Sequence, residues 1–155
     1  MTPYEPRVAT DLRPDGGVVV GDDGSSEAER AIRYAVGEAR RWGRPLLVVR
    51  AWTIPDGVRP PDIPRTSIPS LEEVEKATLE ETRRRTRWIA GEAGDVPAEA
   101  HVVHGPAAKA LVTLLETADV LVIGSRGLGS VASVLLGSVA AQVIRDATGP
   151  VVLVR

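Results

Sequence analysis

No cysteine occurs among the 155 residues, which removes disulfides, thiol nucleophiles and cysteine-ligated metal sites together. This fits a cytoplasmic chain. There is no Gly-Lys pair either, and the two lysines, Lys76 and Lys109, stand outside every glycine loop. A lysine-bearing phosphate loop is therefore excluded, and with it a main charge stabiliser of phosphoryl transfer. The first strand-to-helix turn lacks Gly-x-Gly-x-x-Gly, so the dinucleotide fingerprint is missing. Gly-x-Ser-x-Gly is absent throughout, which leaves serine hydrolysis without support. Residues 1–16 show no apolar leader core and read as a loose arm. The most apolar stretch, Val131 to Ile144, is broken by Ser133, Gly137, Ser138 and Gln142, too short and too polar to span a bilayer.

What is present describes an ordinary globular composition, 43% hydrophobic and 26% charged. A chain of this length forms one domain, here expected over 17–155, and buries about 70% of its unfolded surface. The net charge of −2, despite 17 arginines, argues against nucleic acid as a partner.

Short apolar runs alternate with helical periodicity, the pattern of a parallel sheet covered on both faces. Strands are expected at 17–20, 46–52, 98–103, 120–123 and 151–154. Between the first two, Ser26 and Glu29 have capping-box spacing before a stripe of Ala28, Ala31, Ile32, Ala35, Val36 and Ala39, closed by Gly43. Five prolines between 55 and 70 predict a long irregular loop. Ser70 and Glu73 open a second, charged helix to about Ala90 with a thin stripe of Leu71, Val74, Ala77 and Trp88. A third helix starts at Gly105-Pro106, with proline in the first turn, and a fourth runs from Ser138 to about Asp146.

The fourth apolar run, Val120 to Ile123, empties into Gly124-x2-Gly127-x9-Gly137-Ser138. Glycines let backbone amides approach a ligand closely, and a helix start adds unpaired N–H groups and a positive dipole end. Nucleotide binding is the leading reading, with Ser138 as both helix cap and phosphate ligand. A second loop, Gly21-Asp22-Asp23-Gly24-Ser25, follows the first strand, and a bare acid there faces ribose, base or a bridging Mg²⁺. Arg126 has a choice between phosphate and a surface acid. Arg83 to Arg85 and Arg87 read as a solvated face, because Glu80 and Glu81 precede Arg84 and Arg85 by four. His101 and His104 fall on opposite strand faces, against a shared metal. Trp42, Trp52 and Trp88 read as packing residues, with Trp52 a candidate border of an adenine pocket.

The blocks 18–35 and 119–155, with their glycine spacing, resemble the universal stress protein, UspA-like, family in its ATP-binding branch. That resemblance implies a Rossmann-like, adenine nucleotide alpha hydrolase-like sheet in the order 3-2-1-4-5 and homodimers through Val151–Val154. It implies ATP with Mg²⁺ or Mn²⁺ across the tips of strands one and four. Gly21 and Ile123 would border the nucleotide, and Asp23 would meet its adenosine end or a metal. Ala51 would bond adenine through its backbone. Gly124, Arg126 and Gly127 would line ribose and phosphates, and Gly137, Ser138 and Val139 would hold the phosphates. The chain departs from the family in Asp22, a second acid expected to weaken binding without Mg²⁺, and in Ala140, where some members carry a hydroxyl. Such a protein is a nucleotide-dependent stress-response switch with at most slow hydrolysis. A dimeric interaction module without nucleotide stays open as the alternative, and adenylate transfer is a weaker third.

Overall fold

The computed structural model describes residues 14–54, 56–91, 94–128, 133 and 135–155. The expected arm falls mostly on residues 1–13, outside the described residues, as do positions 129–132 and 134 of the glycine loop. Strands and helices alternate strictly: β1 (Val18–Gly21), α1 (Ser26–Trp42), β2 (Leu46–Trp52), α2 (Leu71–Gly91), β3 (Ala98–His104), α3 (Ala107–Leu115), β4 (Val120–Gly124), α4 (Ser138–Asp146) and β5 (Val151–Val154). All neighbouring strands pair parallel, in the order β3-β2-β1-β4-β5. The chain direction across the sheet therefore reverses between β1 and β4, the place where open α/β sheets leave a crevice.

Burial on two faces explains the unbroken apolar runs. Val19, Val49, Leu121 and Ile123 pack with Leu111 and Leu114 of α3 and with Val143 of α4. Val18, Val20, Val48 and Val122 pack on the other face with Ile32 and Ala35 of α1 and with Ile89 of α2. β1 is fully enclosed, and its three valines are at most 2% exposed.

α1 forms as its stripe predicts, and Gly43 ends it in the left-handed region at φ 59°. Its start differs by one residue. Ser25, not Ser26, is the cap and accepts the Ala28 N–H at 3.0 Å, while Ser26 Oγ turns to Glu27. The Ser70–Glu73 box closes as expected: Glu73 accepts the Ser70 N–H at 2.7 Å and Ser70 Oγ accepts the Glu73 N–H at 3.2 Å. Pro106 is the cap of α3 rather than its first helical residue.

α2 is anchored differently from its expected stripe. Thr78, Thr82 and Thr86 are buried beside Val74, Ala77 and Ile89, and each hydroxyl donates to the carbonyl four residues earlier at 2.7 Å. The threonines thus bring satisfied hydroxyls and apolar methyls to the sheet. Trp88 lies outside this stripe, exposed beneath the Arg33 guanidinium at 5.5 Å. Trp42 is exposed as well and donates its indole N–H to Glu38. The proline-containing stretch is irregular over its described residues 56–70, and the Val58 N–H donates to Thr78 Oγ1 at 2.9 Å.

Candidate functional site

The crevice lies over the carboxyl ends of β1 and β4 and encloses about 150 Å³. Gly21, Asp23, Ala51, Ile123, Gly124, Arg126, Gly127, Gly137, Ser138 and Val139 all border it, so every expected position converges on one cleft. No lysine lines it among the described residues.

Its floor follows from sheet geometry. The Val49 carbonyl accepts the Asp22 N–H at 2.9 Å, so residue 49 points its polar backbone toward β1. Trp52 points the other way, its carbonyl accepting the Gly105 N–H beyond β3. Backbone direction alternates along a strand, so Ala51 faces the β1 side. The β1 pairing has already ended at Gly21 opposite Val49. The Ala51 N–H and carbonyl therefore present a donor and an acceptor to the cleft.

The glycine wall is made by close backbone approach. A Cβ on Gly124 would lie 3.1 Å from the Arg126 carbonyl oxygen, and one on Gly137 would lie 3.3 Å from Arg126 Cα. A Cβ on Gly127 would collide with Asp23 Oδ2. The loop is pinned at both ends, with the Ser125 N–H on the Val154 carbonyl and the Gly137 N–H on the Ser125 carbonyl at 2.8 and 2.7 Å.

Gly137, not Ser138, is the cap of α4, so the cap residue has no side chain to bond the helix start. The next internal helical bond joins the Ala141 N–H to the Gly137 carbonyl. The amides of Ser138, Val139 and Ala140 are therefore turned to the cleft mouth with the positive end of the helix behind them.

Two acids behave differently in the loop after β1. Asp23 faces the glycine loop: Oδ1 accepts the Ser25 N–H and Oδ2 accepts the Leu128 N–H, both at 2.9 Å. Asp22 is not a bare acid in the cleft. Its carboxylate is buried and clasped by Arg85 of α2, Nε to Oδ2 and Nη2 to Oδ1 at 2.9 Å each. Burial works against the Arg85 charge, but the hydrogen bonds and attraction of Asp22 hold its pKa above the ordinary arginine range. Arg85 thus leaves the solvated face expected for its run, whereas Arg84 stays there and pairs with Glu81. The sequence holds a partial signal, since Arg85 sits at the inward spacing of Thr78, Thr82 and Thr86.

Arg126 borders the cleft with Nη2 3.5 Å from Glu27 Oε1. The backbone at the start of α1 holds the Glu27 carboxyl below its usual range, with Ser26, Arg30 and Arg126 adding to the effect. Trp52 does not border the cleft. It is buried on the opposite face of β2, its ring 4.4 Å from that of His104. Among the described residues no cluster of three acids or histidines is arranged for a metal.

Fold and cleft together define an open, doubly wound α/β protein of the Rossmann-like type, with a glycine-walled crevice at its switch point. The universal stress protein family model matches residues 17–155. A universal stress protein of Thermus aquaticus is 37% identical over 142 residues, covering 89% of this chain and 97% of its own. The chain spans about half the length of the mycobacterial relatives it matches, such as one from Mycobacterium tuberculosis, 34% identical over 100% of this chain and 48% of its own. A solved universal stress protein in complex with cAMP superposes with a TM-score of 0.66 at 32% identity, covering 90% of this chain and 97% of that one. Another, from Archaeoglobus fulgidus in complex with dAMP, gives 0.60 at 28% identity over 90% and 98%. The chain belongs to the universal stress protein family.

Proposed function

We propose that the cleft binds an adenine nucleotide, ATP with Mg²⁺ or Mn²⁺, and that the protein works as a nucleotide-dependent switch. The observation that carries this reading is the start of α4, capped by a glycine, beside Gly124 and Gly127, with the Gly127 Cβ position taken by Asp23 and little room for a Cβ on Gly124 or Gly137. An anion is the chemistry such a cradle satisfies. The adenine base is favoured by the free donor and acceptor of Ala51 and by apolar walls from Ile123 and Leu111. Relatives at 32% and 28% identity in complex with cAMP and dAMP support the same ligand class.

The residues fit the nucleotide in sequence across the cleft. Ala51, Gly21 and Ile123 take the base, Asp23 the ribose or metal, and Gly124, Arg126 and Gly127 the ribose and phosphates. The amides of Gly137, Ser138 and Val139 take the phosphates. Mg²⁺ commonly binds through one or two carboxylates plus ligand phosphates, so Asp23 alone is an adequate protein ligand. A bound divalent ion supplies charge neutralisation between Asp23 and the phosphates. Among the described residues the cleft carries no lysine and no evident general base, which favours slow hydrolysis at most.

The switch reading adds a homodimer. β5 is the last strand of the sheet, its four residues are half-buried, and an unpaired edge favours pairing with a second copy. Mass spectrometry of the small molecule released on denaturing the purified protein tests the ligand. An adenine nucleotide supports the reading. Protein with no adenine absorbance and no nucleotide-dependent melting shift turns it toward an interaction module of the same fold.

A further inference from the structure

Asp22 and Arg85 form a buried ion pair on the far side of the loop that carries Asp23. Arg85 holds the turn at two points, because Nη2 also donates to the Ser25 carbonyl at 3.3 Å. Asp22 Oδ1 accepts the Gly24 N–H at 2.9 Å as well. The guanidinium of Arg50 lies beside Gly24, 3.3–3.6 Å from where a Cβ would be. Residues 22 to 25 are therefore gripped from α2 and β2, and the Asp23 carboxylate leaves this fixed turn to hold the Leu128 N–H of the glycine loop. The chain of contacts continues outward, since Thr78 on α2 holds Val58 of the proline-containing loop.

We propose that Arg85 is a positioning residue for the nucleotide cleft. Through Asp22 and the Ser25 carbonyl it fixes the turn from which Asp23 sets the glycine loop. The seat of α2, and of the loop pinned to it, then governs nucleotide affinity, and by reciprocity a bound nucleotide tightens α2. This rests on the nucleotide reading only for its effect on affinity; its effect on Leu128 stands in the ligand-free protein.

The test compares wild type, Arg85→Met and the double variant Asp22→Asn with Arg85→Met. The single change leaves a carboxylate buried without its partner, and that alone is disruptive. The double change removes the stranded charge and restores the melting temperature while leaving the clamp undone. Two quantities are read: hydrogen-exchange protection of the Leu128 amide without ligand, and the Kd for ATP with Mg²⁺ by calorimetry. The clamp predicts that the double variant, folded as wild type, loses at least about tenfold in Leu128 protection and in affinity. A double variant with wild-type protection at Leu128 overturns the proposal, and so does wild-type affinity where wild type binds. If Arg85→Met does not fold, the double variant decides. If wild type binds no adenine nucleotide, the functional reading falls, and Leu128 protection alone decides the clamp.

Discussion

Asp23 and Leu128 stand 105 residues apart, yet the Asp23 carboxylate accepts the Leu128 N–H at 2.9 Å. This bond joins the loop after β1 to the glycine loop after β4 across the reversal point of the sheet. The same oxygen occupies the space that a side chain on Gly127 would need. The glycine is required by the acid as much as by any ligand.

Gly127→Ala therefore displaces the Asp23 carboxylate, and Gly137→Val crowds the backbone at Arg126 without backbone strain, since φ is −71° there. Both variants are expected to fold and to lose at least about tenfold in nucleotide affinity, or about 1.4 kcal/mol. Calorimetric titration beside a thermal melt checks this. Wild-type affinity in both variants contradicts it.

Glu27 draws the Arg126 guanidinium toward α1 and adds a negative charge beside the cleft. Glu27→Gln removes that charge and is expected to raise nucleotide affinity several-fold at low salt, less at high salt. Arg126→Ala is expected to lower it. Titrations at two ionic strengths measure both effects.

Capping separates two adjacent serines. Ser25→Ala removes the acceptor of the Ala28 N–H and is expected to cost about 1 kcal/mol, whereas Ser26→Ala is expected to stay within about 0.5 kcal/mol of wild type. Urea denaturation of the two variants gives the comparison, and equal losses would contradict the assignment.

The Trp42 indole N–H, chiefly, holds the Glu38 carboxyl below its usual range, with further lowering by Arg41. A lowered folded pKa gives stability that is present above the unfolded value, about 4.5, and is lost as pH falls through the folded value. Trp42→Phe is expected to lower the urea midpoint at neutral pH and to leave it closer to wild type in acid. An effect that grows in acid would contradict this sign.

The fold was largely legible because parallel strands buried on both faces, such as Val18 to Val20, leave unbroken apolar runs. The cleft was legible because Gly124, Gly127 and Gly137 recur at a fixed spacing behind an apolar strand and at the start of a helix, where close backbone approach leaves little room for a side chain. α2 was not legible in the same way. Its inward face uses threonines whose hydroxyls are satisfied by the preceding turn, and such residues look polar in a sequence. The Asp22–Arg85 pair spans 63 residues, and the helical spacing of Arg85 marks an inward position without naming its partner, so Asp22 read as a bare acid of the site and Arg85 as part of a solvated face. The caps shifted from Ser26 to Ser25 and from Ser138 to Gly137 because backbone direction, not residue type alone, selects the position.

Nuclear magnetic resonance titration of the labelled protein with ATP and Mg²⁺ tests the central claim most directly. Saturable shifts of the Ser138, Val139 and Ala140 amides, joined by Ala51, are the result predicted. Amides at those four positions that stay unmoved at millimolar nucleotide would contradict it.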